Sequence, residues 1–379
     1  MKVSVLQENL AKALGIVSRA VPSRLTMQVL GNVKLETEEG RLKLSATNLE
    51  LGITAWIGAK IEEDGAITVP ARTFADLVNN LSPERVDLEL NVRTQTLHVH
   101  CGATNSNIKG IDAAEFPPIP EAGDDPGIAV PGDVLREMIT QTVFAAATDD
   151  NRPILTGIYT RIDGDSLTMA AADGYRLSVR TASLDLGAPK PAELVIPART
   201  MSELARIISD DDEEVLISIP PGRNQVIFHL KSVDVASSLL DGKFPDYNVI
   251  IPKSFTTSTV AYTADLLRAC KRAEIFARDA NNNAKVIVVP GDGPSTPGRV
   301  RLAATSLERG DADAIVDATV DGDSQEISFN VRYLIDVLSV IREEQVLLES
   351  SGANAPGVIR PVGRDDFIHV IAPMNPLGR

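Results

Sequence analysis

Two cysteines, Cys101 and Cys270, are too few for a disulfide framework, and neither stands at metal-ligand spacing. Both read as small buried hydrophobes. Only four histidines occur. His98 and His100 share one strand face but have no Cys or Glu cluster beside them, so they read as ordinary strand residues. Aromatics make up 4% of the chain, which argues against a stacking platform for unstacked bases. No apolar run approaches the roughly 18 residues of a membrane span. The opening MKVSVLQENLAKALG lacks the order of a signal peptide, and the expected location is the cytoplasm. There is no P-loop and no Gly-rich dinucleotide turn. The best acid–base candidates, Asp173 with Arg176 and Asp149 with Asp150, have no His or Cys nucleophile nearby, so the reading is a non-enzyme without cofactor or metal.

What is present is repetition. The chain has 379 residues, enough for two or three domains of about 100 to 150 each. VPARTFADLV (69–78) returns as IPARTMSELA (196–205) and more faintly as FNVRYLIDVL (329–338). GRLKLSATNLELG (40–52), DSLTMAAADGYRLS (165–178) and GRVRLAATSLERG (298–310) form a second register. AEFPPIP (114–120) against GKFPDYNVIIP (242–252) forms a third. The period is about 126, which places domains at 1–125, 126–252 and 253–379. Each unit carries two helical patterns and roughly eight short alternating strands joined by tight turns, and looks built from two similar halves. Neighbouring strands joined by turns such as EEGR and GDG predict antiparallel pairing, so the class is α+β.

The six predicted helices span 5–20, 72–82, 132–148, 198–208, 264–278 and 331–342. They hold twelve Lys or Arg and eight Asp or Glu, in a chain whose net charge is -15. In the first, Leu6, Leu10, Leu14 and Val17 form the apolar stripe; in the fifth, Leu266, Leu267, Cys270, Ala273 and Ala277 do, leaving Arg268, Lys271, Arg272 and Arg278 outside. Arg72, Arg199 and Arg332 each sit in a first helical turn, where a cation is disfavoured by about 0.3 to 1 kcal/mol. One explanation is ion pairing four residues on, with Asp76, Glu203 and Asp336. The other is a basic helical layer facing the phosphates of a duplex. Screening over about 8 Å would keep distant acids from opposing it. An adhesive repeat protein would account for the repeat but not for the charge in the helices.

The ordered set PARTF, PARTM, ADGYRL (172–177), FPDY (244–247), NVRYLIDVL (330–338) and HVIAPM (369–374) resembles the bacterial sliding clamp family, the beta subunit of DNA polymerase III, along the whole chain. The resemblance implies three tandem DNA-clamp domains, each with two helices packed on antiparallel sheets. They would form half of a six-domain ring closed by a second copy around duplex DNA. It implies a processivity factor, with the polymerase III alpha subunit, the clamp loader and other polymerases and repair proteins as partners. Their short linear motif would enter a pocket walled by Leu155, Gly174, Tyr175, Arg176, Leu177, Pro245, Ile250, Tyr333, Val370, Ile371, Pro373 and Met374. Arg24 and Arg152 fall at loop positions that approach DNA, joining Arg72, Arg199, Arg268, Lys271, Arg272 and Arg332. Ile108 opposite Ile275 and Phe276 would form the dimer interface. The chain departs from the family pattern at Ala372 and Asn375 on the cleft rim, at Ala172 and Tyr175 in the hairpin, at Asp149 and Asp150 beside Arg152, and at Ser106 near the interface.

Overall fold

Period-two burial marks the strands: in TLHVHC (Thr96–Cys101) and GRVRLAATS (Gly298–Ser306), inward residues alternate with exposed ones. The computed structural model describes residues 1–121, 127–149, 151–184, 191–210, 213–220, 222, 224–293 and 296–374. Asp150 and the tail residues Asn375 and Pro376 lie outside the described residues.

The first repeat runs β1 (Lys2–Leu6), α1 (Gln7–Val17), β2 (Asn32–Glu38), β3 (Arg41–Thr47), β4 (Leu51–Gly58), β5 (Lys60–Glu63), β6 (Ala66–Pro70), α2 (Ala71–Asn79), β7 (Arg85–Asn91), β8 (Thr96–Cys101) and β9 (Thr104–Lys109). The second runs β10 (Ile128–Pro131), α3 (Gly132–Thr142), β11 (Gly157–Asp163), β12 (Ser166–Ala172), β13 (Arg176–Ser183), β14 (Ala192–Pro197), α4 (Ala198–Ile207), β15 (Glu214–Ser218), β16 (Gln225–His229) and β17 (Val233–Ser238). The third runs β18 (Thr257–Tyr262), α5 (Thr263–Ala277), β19 (Asn283–Val289), β20 (Gly298–Ser306), β21 (Gly310–Gly322), β22 (Gln325–Asn330), α6 (Val331–Val340), β23 (Gln345–Ser350), β24 (Gly357–Pro361) and β25 (Phe367–Ile371). Every repeat is therefore the same half twice over, a strand, a helix and three strands. Only β5 is extra, and it pairs with β1 as the far end of β21 pairs with β18.

Two compact units carry these elements: residues 1–136 with 203–239, and 137–202 with 240–379. They cut across the repeats for a simple reason, which is that one ladder joins each repeat to the next. In the first unit β4 of repeat one pairs with β17 of repeat two, within an eight-stranded sheet ordered β10-β15-β16-β17-β4-β3-β2-β6. A second sheet there is β5-β1-β7-β8-β9. In the second unit β13 pairs with β25 inside a twelve-stranded sheet.

Helices cover the sheets through short aliphatic faces. α1 buries Leu10, Ala13, Leu14 and Val17, and its Gln7 side chain donates to the Val78 carbonyl at 2.8 Å, fastening it to α2. Leu6, expected in that stripe, is 59% exposed because it ends β1 and the helix starts one residue later. α5 buries Leu266, Ala269, Cys270, Ala273 and Ala277, and packs with α6 over a core that includes Phe329 and Phe367. Both cysteines are buried and free, and burial pushes the Cys270 thiol up to about 12. The helices are shorter than the apolar patterns, which continue into 3-10 turns such as Ser18–Ala20 and Arg278–Ala280. Within the observed bounds they hold nine Lys or Arg and eight Asp or Glu, so most of the expected surplus belongs to Arg19, Arg278 and Arg342 beyond the helix ends.

Candidate functional site

The β12–β13 hairpin turns on Asp173 and Gly174. Asp173 Oδ1 accepts from the amides of Tyr175 (2.8 Å) and Arg176 (3.0 Å), a local capping that fixes the turn. Gly174 has φ +93°, in the left-handed region that favours glycine, and the Arg152 guanidinium lies against its open face. Arg152 Nη2 donates to the Asp173 carbonyl at 2.5 Å, which holds its guanidinium against the hairpin tip.

Arg176 is the organising side chain. Its Nε donates to Asp173 Oδ2 at 3.0 Å and its Nη1 to Asp336 Oδ2 at 2.5 Å. The guanidinium carbon lies 4.2 Å from the centroid of the Tyr333 ring and 5.5 Å from that of Phe144. Burial, then the Asp173 charge, raise the Tyr333 phenol above its ordinary value. Asp336 is therefore not the partner of Arg332, contrary to the i,i+4 expectation.

The β13–β25 ladder sets Leu177 against Val370 and Arg176 against Ile371, and the Ala372 amide continues it by donating to the Tyr175 carbonyl at 2.8 Å. The Met374 amide donates to the Ser328 carbonyl at 2.7 Å, and Pro373 and Met374 are half-buried. Leu155, Leu177 and Val370 belong to one buried apolar cluster with Phe244. Tyr175 and Ile250 are exposed at 65% and 46%, and Pro245 is exposed; their neighbours Phe244, Tyr247 and Ile251 supply the packing instead. Phe144, beneath Arg176, was not singled out from the sequence, because it carries no local signal beyond apolarity, and Phe244 stands out there only as part of the FPDY motif, not as a wall residue. The result is an apolar wall with Tyr175 standing free at one edge and a fixed guanidinium beside it, which suits an apolar side chain of an extended peptide.

The basic residues fall into three kinds. Arg24, Arg199, Lys271 and Arg272 are exposed and have no ion pair among the described residues. Arg72 is 96% exposed and makes a loose 4.0 Å contact with Asp76. The others are engaged: Arg268 with Asp265, and Arg332 with Glu274 at 3.4 Å. Glu203, expected to pair with Arg199, is held by Arg19 and Arg206, each at 2.9 Å. The i,i+4 explanation thus survives only weakly, at Arg72. Of the expected interface residues, Ile108 on β9 is buried within its own unit, Ile275 on α5 is 49% exposed, and Phe276 packs partly on the core. His98 and His100 face Asn107 and Asn105 across β8 and β9, and no group of three or more metal-ligating side chains exists among the described residues.

Fold and site together define a three-domain DNA-clamp subunit, and comparison with known proteins agrees along the chain. Sequence models of the N-terminal, central and C-terminal domains of the DNA polymerase III beta subunit match residues 1–120, 129–246 and 248–375. The beta sliding clamp of Bacillus subtilis (strain 168) is 31% identical over 385 residues, covering 99% of this chain and 100% of that protein. That of Synechococcus elongatus is 32% identical over 381 residues, covering 99% of each. Among solved structures, the B. subtilis DNA polymerase sliding clamp superposes with a TM-score of 0.92 at 29% identity, covering 99% of both chains. The Pseudomonas aeruginosa clamp bound to griselimycin gives 0.90 at 29%, again over 99% of both. The chain belongs to the DNA polymerase III beta subunit family, the beta sliding clamps, which are non-catalytic processivity factors of DNA replication.

Proposed function

We propose that this chain forms a head-to-tail homodimeric ring that encircles duplex DNA without reading sequence and tethers replication and repair proteins through the pocket at Arg176 and Leu177. One observation carries the ring. Each junction between repeats is closed by the same antiparallel ladder, β4 with β17 and β13 with β25. Among the described residues, the two ladder edges left at the ends of this series are β9, which pairs only with β8, and residues 310–317 of β21, which pair only with β20. A second copy supplying β9 to β21, and receiving the reverse, completes the series at six repeats. On this reading the repeats are bounded near residues 125 and 252; the first bound falls between the matched domain models, and the second lies a few residues inside the C-terminal one.

Arg24, Arg72, Arg199, Arg268, Lys271, Arg272 and Arg332 would meet phosphates, with Arg152 contributing the donors its hairpin contact leaves over. The pocket wall comprises Leu155, Leu177, Val370 and Ile371, with Gly174, Tyr175, Tyr333, Pro245, Ile250, Pro373 and Met374 at its rim. Its occupants are the short motifs of the polymerase III alpha subunit, the clamp loader and other clamp-binding proteins, and the complex works in the cytoplasm. The test is retention on DNA: loaded protein should stay on a nicked circle and be lost when that circle is linearised. Equal retention on both forms would overturn topological binding.

A further inference from the structure

The ladder registers put the first and second junctions in residue-by-residue correspondence. Gly52 pairs with Thr47 on one side and Ala236 on the other, just as Leu177 pairs with Ala172 and Val370. Where the second junction carries the apolar side chains of Leu177 and Val370, the first carries a glycine and an alanine.

That space is filled from elsewhere in the chain. A Cβ on Gly52 would lie 2.6 Å from Cγ2 of Ile119, so Ile119 sits directly on the glycine. Ile119 belongs to FPPIP (116–120), the counterpart of FPDYN (244–248). In the second copy Tyr247, at the position of Ile119, packs edge-on against Tyr159 at 5.9 Å instead. The first-junction segment is seated by Phe116 and Ile119, with space on either flank. A cavity of about 320 Å³ is lined by Pro117–Glu121 and by the sheet face at Lys34, Lys43 and Trp56, with Lys43 reaching across to Glu121 at 3.2 Å, and one of about 80 Å³ lies at Glu50, Ser237 and Ser238. Three prolines in five residues restrict the segment's backbone, so holding it in place costs little conformational entropy.

We infer that the first junction is a second peptide-binding slot, built on the plan of the Leu177 pocket and kept occupied by the chain's own Pro117–Pro120 segment. The inference rests on the pocket reading above for the kind of ligand, an aliphatic side chain within a proline-flanked extended segment. Its consequence is that each chain offers partners one pocket although the repeat builds two.

The test uses the full chain and a fluorescein-labelled synthetic peptide of residues 113–121, AAEFPPIPE. The native chain, its slot filled, should bind it only weakly. A variant carrying Pro117→Gly, Pro118→Ser, Ile119→Gly and Pro120→Ser should bind one peptide per chain, at least tenfold more tightly than the native chain does. Adding Leu177→Ala should leave this binding unchanged. In the native chain the same substitution should cost at least tenfold in affinity for a separate labelled peptide bearing a Leu-Phe pair. A variant with the native circular dichroism spectrum that ignores AAEFPPIPE overturns the slot. Indifference of the Leu-Phe peptide to Leu177→Ala overturns the pocket reading alone. Trp56, the one tryptophan, shares the larger cavity with the segment and gives an arm that does not need the fourfold variant. Gly52→Leu should evict Ile119 and move Trp56 emission to longer wavelength, and adding Ile119→Gly should reverse the shift; an unmoved spectrum in Gly52→Leu refutes the proposal.

Discussion

Arginines in this chain act chiefly by being held. Arg364 donates to Glu343 at 2.7 Å, to Glu137 at 3.1 Å and through two nitrogens to Asp366 at 3.0 Å, beside Arg180, which reaches Asp366 at 2.6 Å. Burial alone would raise the Asp366 and Glu343 carboxyls, but the Arg364 hydrogen bonds outweigh it and hold both below their ordinary values. Carboxyls depressed in the folded state contribute stability that is complete above their unfolded values, about 4, and is lost as the pH falls through the folded ones. Arg364→Ala should therefore cost about 2 to 3 kcal/mol at pH 7, short of a fully buried pair because Arg364 is 27% exposed. The difference from the native chain should shrink at pH 3, as urea unfolding at the two pH values would reveal. A difference that is constant or grows on acidification would contradict this account of the cluster.

At the scale of the helix, the repeated arginines turn out to be inequivalent. Arg72 projects into solvent, Arg199 is exposed, and Arg332 reaches Glu274 on α5, which Arg278 also contacts at 3.7 Å. The densest free positive charge is Lys271 with Arg272, adjacent on the outer face of α5. Reversing both to Glu should leave the melting temperature within a degree or two, since neither has an ion-pair partner among the described residues. Retention on circular duplex should fall, and its salt dependence should flatten by about two phosphate contacts. Arg332→Ala should change stability by no more than about 0.5 kcal/mol, because Arg332 is itself 63% exposed and Glu274 keeps its contact with Arg278.

The repeat and its helices were readable because a strand-helix junction has a local signature, Pro and Arg at the point where period two gives way to a helical pattern. Arg176 with Asp336, or Arg19 with Glu203, was not readable: such partners are set by ladders between strands far apart in sequence, and an acid four residues along the helix is an equally plausible mate until the register is known. Leu6 misled for a related reason. It continues an apolar period across the strand end, where the backbone has not yet turned.

For the whole molecule the proposed function turns on closure by a second copy. The outer edge of β21 presents Asp311, Asp313 and Asp317 with an exposed Ile315, and β9 offers Lys109 on its exposed side. α5 packs on β21, so a copy of β9 laid along that edge would bring its Ile108 end toward Ile275 and Phe276. Ile275 is half-exposed and outside the buried core, so replacing it removes little internal packing. Ile275→Asp would forfeit about 2 kcal/mol of apolar burial at each of the two contacts between copies and leave a charge there, weakening association by about a hundredfold or more. Light scattering on a sizing column at micromolar concentration should give a native dimer and a variant monomer with an unchanged melting temperature. The monomer should also lose its hold on circular duplex while its pocket still takes a Leu-Phe peptide, since that pocket lies within residues 137–202 and 240–379 of one chain. A native protein that runs as a monomer there would leave β9 and β21 without the partner strand on which the ring depends.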